Sequence, residues 1–498
     1  MLASPGGPTK GKVECSQKQI VTDSPPGPSK VKGELRIAHG EMTRSGRISS
    51  LLVRFSRGRG IMALADQVMV SGANFATNIV LVRGLGLSDF GKFSIAYVLL
   101  LYSNALQMSF VASPMLSIAP LMPSRAKRQF VDGMLAFQLS ASLLLFVIFA
   151  LVGAVSHIFT AFYSLPCIFA FAFCVGTYQL QDWLRRYYFL YNKIKFALIC
   201  DFISYVIQLA LLAVLWRTGQ LTLLRTFLVM CITSIAAITM GPITDRLRPA
   251  MGHLREAWAQ CRILSRDLLV ANQVRWLGFQ GVLLVGTWIV GTVAAGGLRA
   301  TQSLAGPVNL VLTSLENVVP IRIAEELNKT GARGAYRFTQ RAIVGGIALF
   351  GVLIVPIGVF GRPILRFIYG PTMVVFYVPM LLQLVGVVMQ AASNLWVYFY
   401  RGIRDSRALL RANALSAITS IATVYLFGHL WGASGIVTSS LVGLASAVAY
   451  FIMHWMRHRE RILLQYPARS SFKRIAAVSV PGNEYAEIDL IPDGSAEW

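Results

Sequence analysis

The chain has 498 residues, of which 55% are hydrophobic and only 14% charged. Soluble domains run about 25% charged, so much of this surface does not face water and an ordinary soluble protein is excluded. The net charge of +24 would suggest nucleic acid in a soluble chain, but the basic residues sit in short clusters between apolar stretches and form no single stripe, which argues against that class.

Residues 1–60 are rich in Gly, Pro, Ser and Lys and show no apolar periodicity until Leu51. They are expected to form a disordered basic tail on the cytoplasmic side, and they lack the apolar core of a signal peptide. From about Ile61 to Met456, apolar stretches follow one another with short polar breaks. Many are long enough to cross a hydrocarbon core of roughly 30 Å as a helix. Twelve spans are predicted, near 61–83, 93–120, 130–155, 158–180, 196–216, 222–243, 270–293, 297–321, 342–360, 374–399, 408–428 and 434–456. The predicted fold class is therefore an all-α integral membrane protein. Residues 244–269 read as a cytoplasmic linker and 457–498 as a cytoplasmic tail that begins basic and ends acidic.

Charge fixes the orientation. With the N-terminus inside, the inner segments hold 38 Lys and Arg and the outer loops 6; without the N-terminal tail the balance is still 27 to 6. Cytoplasmic loops collect such residues, so both termini are expected in the cytoplasm and the span count is even.

An offset of 206 residues places Asp66-Gln67-Val68 over Asn272-Gln273-Val274, Gly72 over Gly278, Pro114 over Pro320 and Phe130 over Tyr336. Six spans lie on each side, so the chain reads as two pseudo-symmetric six-helix bundles, 61–243 and 270–456. An even number per half makes the repeat parallel, about an axis along the membrane normal, and such proteins run the substrate path between the halves.

Polar groups inside spans point to that path, because each is costly unless it faces a cavity or a partner. Span one carries Asp66, Gln67, Ser71, Asn74, Thr77 and Asn78; Gln67, Ser71, Asn74 and Asn78 share one helix side. Span seven carries Asn272, Gln273, Arg275 and Gln280. Either these helices line a central cavity, or their polar groups hydrogen-bond between helices. Arg275 offers a planar fork of donors suited to phosphate or carboxylate, unless it snorkels to the surface. Arg299 and Glu316, on span eight, are further candidates but stand about 25 Å apart along the helix and cannot pair. Arg83 reads as a surface anchor. Pro114 and Pro320 interrupt backbone hydrogen bonding at matched places, which marks hinges or helix ends.

The cluster Asp182-Trp183-Leu184-Arg185-Arg186-Tyr187-Tyr188 reads as an interfacial belt, with Asp182 able to pair with Arg185 or Arg186 and Asp201 pairing locally. There is no Walker A sequence, so ATP hydrolysis is not expected. His454 and His458 share a helix face without a third ligand, and no metal or cofactor is expected. No catalytic constellation can be assembled from residues scattered over separate spans.

Two stretches carry a resemblance: Ala65-Asp66-Gln67 through Ser71-Gly72-Ala73-Asn74-Phe75 to Val82-Arg83-Gly84-Leu85-Gly86, then Phe90-Gly91-Lys92-Phe93, and Gln181-Asp182-Trp183-Leu184-Arg185-Arg186-Tyr187-Tyr188-Phe189. They resemble polysaccharide biosynthesis proteins of the O-antigen flippase type, in the multidrug/oligosaccharidyl-lipid/polysaccharide exporter superfamily. Gly297 to Leu304 with Pro307 and Asn309 looks like a second-half counterpart. The resemblance implies a bacterial inner-membrane flippase, not an enzyme. It would carry an undecaprenyl-diphosphate-linked oligosaccharide to the periplasmic face by alternating access, for exopolysaccharide, capsule or O-antigen. Its partners would be the lipid-linked substrate, membrane lipids, and a polysaccharide polymerase and co-polymerase. A cation-coupled drug antiporter of the same superfamily, driven by Na⁺ or H⁺, is the alternative; it would need buried carboxylates, for which Asp66 and Glu316 are the candidates. A lipid II flippase is a third, closely related possibility, and a membrane glycosyltransferase or polymerase a further one, weakened by short outer loops nearly free of Asp and Glu.

Overall fold

The computed structural model describes the backbone of residues 29–160, 162–245 and 247–467; the side chains of 29–61, 63, 64, 267, 271, 274, 275, 278, 279 and 307–318 lie outside it. The described elements are helices joined by short turns, with no strand among the described residues. Residues 1–62 form one unit and the remainder another. Of the expected disordered N-terminal tail, 1–28 lie outside the described residues and Ser29 onward is helical; no proline follows Pro28 there to stop a helix.

Seven helical stretches are long and apolar enough to cross a membrane, so the chain is a multi-pass membrane protein. Three of them are each broken by one glycine in the left-handed region: Gly86 (φ 76°), Gly331 (φ 70°) and Gly432 (φ 54°). An L-residue with a Cβ pays roughly 1–2 kcal/mol for that conformation and glycine does not. Division at these glycines and at Gly291 (φ 97°) leaves twelve successive spans, at 63–85, 87–121, 124–160, 165–190, 194–217, 223–245, 251–290, 292–330, 332–359, 371–402, 406–431 and 433–465. Spans four, seven and the first part of eight fall outside the seven apolar stretches, because polar residues such as Gln179, Asp182, Gln273 and Arg299 interrupt them. Polar spans belong in the interior of a bundle, where cavities or partners satisfy them.

Two boundaries differ from the sequence expectation. The linker expected at 244–269 is helical from Met251 and packs on span three: Phe137 stacks on Trp258 at 5.2 Å, and Gly133 lies so close to His253 that a Cβ would meet its carbonyl at 2.7 Å. The last helix continues to Gln465, past the expected tail boundary at 457, because Ile462 is buried beside it; 468–498 lie outside the described residues.

The backbone repeats between the halves in detail. The turns after spans four and ten each hold a non-glycine residue in the left-handed region, Asn192 (φ 58°) and Arg404 (φ 55°). The residue after each donates the same turn-closing bond, Lys193 to the Tyr188 carbonyl at 2.8 Å and Asp405 to the Tyr400 carbonyl at 3.0 Å. An aromatic cluster precedes each turn: Trp183, Tyr187 and Tyr188 in one half, Trp396, Phe399 and Tyr400 in the other.

Three spans also contain a π-helical turn, Met108–Ala112, Phe202–Ile207 and Leu277–Gly281. Pro114 follows the first of these at the start of Ser113–Ile118, so the interruption in span two is a π turn and a proline together.

Candidate functional site

The halves meet along a seam made by spans two and eight. A Cβ at Gly91 would lie 2.0 Å from the Thr292 carbonyl oxygen, and one at Gly296 would lie 2.7 Å from the Leu87 carbonyl oxygen. The two contacts are mirror copies, since each glycine sits one turn into its helix, just past the break at Gly86 or Gly291. Only residues without a side chain let two helix backbones approach this closely. Arg83 closes the same end: its Nε donates to the Ile368 carbonyl at 2.7 Å and its Nη2 to that of Phe367. These are the open carbonyls at the C-terminal end of the short helix Gly361–Tyr369, where a cation also suits the helix dipole. The apolar cluster around them draws on both halves, with Leu81, Phe90 and Phe93 on one side and Leu365, Tyr369 and Phe376 on the other.

Next to the seam is a narrow polar crevice. Asn74, Thr77 and Asn78 of span one, Tyr97 of span two, Gln181 of span four, and Ser204, Tyr205 and Gln208 of span five line it, and Arg299 enters from span eight. The π turn Phe202–Ile207 re-aims span five so that Ser204 and Tyr205 both reach the crevice. The Arg299 guanidinium lies over the Tyr97 ring at 4.6 Å and reaches Gln302 at 3.4 Å. A cation over an aromatic face keeps its N–H edges free for other acceptors. The Nε of Arg299, both amide atoms of Gln181 and the hydroxyl of Ser204 are buried without a partner among the described residues. Buried polar atoms nearly always find one, so a polar occupant, water or substrate, belongs here.

Deeper in the first half lies a buried ion cluster. Arg185 donates a hydrogen bond to Asp66 at 2.8 Å from one side and is ion-paired with Asp201 at 2.5 Å on the other. Asp66 is 2% and Asp201 0% exposed. Two carboxylates share one guanidinium, which leaves one negative charge in the interior unless a proton or cation joins them. Asp182 pairs instead with Arg186, one turn on, at 2.7 Å. The local pairing expected for Asp201 is therefore corrected to a long-range one, because the helix directs Arg185 inward and Arg186 sideways.

The structure brings Asn74, Asn78 and Arg299 of the expected path residues into one crevice. Asp66 stands apart in the ion cluster, and Gln67 is held by Ser71 at 3.4 Å. On span seven, Gln273 keeps a buried amide nitrogen without a partner, Gln280 is half-buried, and Asn272 donates to Ser109 across the halves at 2.9 Å. The side chains of Arg275 and Glu316 lie outside the described residues. Pro320 lies inside a helix, eleven residues before the break at Gly331. Arg83, read as a surface anchor, is exposed and also joins the halves. Arg185 and Asp201 were not singled out as an interior pair; their only sequence signal was a charge within an apolar span.

No protein family and no characterised protein matches the sequence itself. Solved structures do match the fold. A lipid II flippase MurJ in an inward closed conformation superposes with a TM-score of 0.54 and 13% identity, covering 85% of this chain and 93% of that one. The chain shares the fold of that structure. An inward-facing multidrug resistance MATE family transporter gives 0.63 at 13% identity, covering 78% and 94%. A MOP superfamily transporter from Pyrococcus furiosus gives 0.51 at 11%, covering 81% and 92%. Identities this low speak for the fold, and the two-lobed arrangement of twelve helices is the architecture expected from the sequence.

Proposed function

We propose that this chain is a transporter that flips an undecaprenyl-diphosphate-linked oligosaccharide to the periplasmic face of the bacterial inner membrane, for exopolysaccharide, capsule or O-antigen. Its termini are cytoplasmic and it works by alternating access beside a polymerase and co-polymerase. The observation that carries the reading is Arg299, a cation with an unpartnered buried donor in a crevice to which both halves contribute. A guanidinium fork there suits a diphosphate. The sequence motifs and the MurJ-like fold support the substrate class.

The test is a strain lacking the chromosomal copy, assayed for lipid-linked oligosaccharide trapped on the cytoplasmic side. Wild-type protein should clear it and Arg299→Ala should not, at equal membrane abundance. Full clearance by Arg299→Ala would sink the role given to this residue.

A second reading, a cation-coupled multidrug antiporter, is favoured by one feature, the buried Asp66–Arg185–Asp201 cluster, in which two carboxylates share one guanidinium. Drug efflux that depends on Asp66, in a deletion strain with unchanged polysaccharide, would select it.

A further inference from the structure

On span nine, three arginines stand in a row on one exposed helix side. Arg333, Arg337 and Arg341 are exposed, and none is ion-paired or hydrogen-bonded through its side chain among the described residues. The nearest carboxylate in the group, that of Glu326, is engaged by the Thr330 hydroxyl at 3.1 Å. Spacing of four puts the three guanidinium groups on one helix side. They border a groove of about 270 Å³ that also includes Glu326, Thr330 and Phe338. The break at Gly331 starts a fresh helix directly before them, so Arg333 lies in its first turn, where the helix dipole favours an anion.

The same side of the helix changes character after Arg341. Val344, Val352, Val355 and Val359 are 68%, 72%, 60% and 67% exposed, and Ala348 between them is exposed too. At 100° per residue all eight positions, from Arg333 to Val359, lie within about a quarter turn of one another. The stripe runs about 39 Å, cationic over its first three turns and aliphatic over the rest. In this stretch only 11% of the apolar window is buried, so the valines face the hydrocarbon and Arg341 stands where it ends.

We propose that this stripe binds an anionic phospholipid, with its phosphate on Arg333, Arg337 and Arg341 and its acyl chains along the valine track. The site is separate from the crevice that holds Arg299 and does not depend on what the protein transports. A phosphodiester offers acceptors to several guanidinium groups at once, and a lipid satisfies both parts of the stripe where a soluble anion would satisfy one. Basic residues at the headgroup level hold anionic lipid in this way.

The test uses purified full-length protein in detergent with phosphatidylglycerol, phosphatidylcholine, or inorganic phosphate, read by native mass spectrometry and by thermal unfolding. Phosphatidylglycerol should be retained and should raise the unfolding midpoint, while phosphatidylcholine and millimolar inorganic phosphate should not. The triple substitution Arg333→Gln, Arg337→Gln, Arg341→Gln should weaken phosphatidylglycerol binding by about tenfold to a hundredfold. Val344→Ser with Val352→Ser, which leaves every charge in place, should weaken it as well and covers the case of a misfolded triple variant. A control triple, Arg457→Gln, Arg459→Gln, Arg461→Gln, removes equal charge elsewhere and should retain binding. Equal loss in the control would show that lipid follows net charge alone and overturn the site. Competition by inorganic phosphate would reassign the groove to a soluble anion. If binding appears only after residues 468–498 are deleted, the acidic C-terminal residues occupy the groove and the lipid assignment falls.

Discussion

Gly91→Ala adds one carbon to the tightest point of the seam, and its consequence can be worked from the geometry. That carbon would sit 2.0 Å from the Thr292 carbonyl oxygen and 2.6 Å from its carbon. Ordinary contacts between such atoms are about 3.5 Å, so spans two and eight must part by more than about 1 Å. Overpacking of this kind costs typically 1–3 kcal/mol, and under the proposed alternating access the cost falls on the closed arrangement. The equilibrium between closed and open seam should then shift by about 5- to 150-fold towards open. Spin labels on Gln220 and Arg362, exposed positions in the two halves, would report it as a longer component in the distance distribution, in a background free of other reactive cysteines. Gly296→Ala should give the same component, since its carbon meets the Leu87 carbonyl at 2.7 Å. The double variant should exceed either single by less than their sum, because both strain one seam. Gly72→Ala is the control, with nothing within 4 Å of the added carbon. Distributions for Gly91→Ala and Gly296→Ala that match Gly72→Ala would refute the close approach.

Arg185→Leu leaves Asp66 and Asp201 buried without a cation and should destabilise the protein by about 3–5 kcal/mol; adding Asp66→Asn and Asp201→Asn should recover most of that loss in thermal unfolding. Arg83→Ala frees the carbonyls of Phe367 and Ile368, so hydrogen exchange should accelerate across 361–369 and stay unchanged across 377–402. Arg404→Gly relieves a left-handed residue (φ 55°) and should raise stability by up to about 1 kcal/mol, seen as a higher unfolding midpoint; a fall would contradict the turn geometry.

The span count and the twofold repeat were legible in the sequence because hydropathy and charge alternation are local signals repeated twelve times. Asn74, Asn78 and Arg299 were legible as polar intrusions on apolar helices. What was not legible depended on contacts between distant spans. Arg185 looked like one of a belt of interfacial arginines, and nothing in its neighbours says that Asp66, over a hundred residues earlier, would meet it. Gly91 and Gly296 looked like ordinary small residues, since close approach is a property of two helices and not of one. The linker expected at 244–269 hid a helix because its charged residues lower the mean hydropathy without lowering helix propensity.

The repeat is faithful in backbone and unfaithful in chemistry, and that contrast assigns tasks to the two halves. Breaks at Gly86 and Gly291, and left-handed turns at Asn192 and Arg404, recur at corresponding positions. The ion cluster does not. The offset that places Asp66 over Asn272 gives that carboxylate a neutral partner, and the offset between the two turns places Arg185 over Val397 and Asp201 over Asn413. A seam built about a twofold axis has matching backbones on both sides, so its glycines are paired. A buried ionic cluster is costly and is not required by the seam. Among the described residues the second half contributes Arg299 to the crevice and half of the seam, while the buried carboxylate–guanidinium cluster lies in the first half. Restoring the symmetry with Asn272→Asp and Asn413→Asp would place two further carboxylates at half-buried positions with valine where the first half has Arg185. The variant should unfold at a lower temperature than wild type, and adding Val397→Arg should recover part of the difference. No recovery would show that the second half lacks the space the first half provides around Arg185.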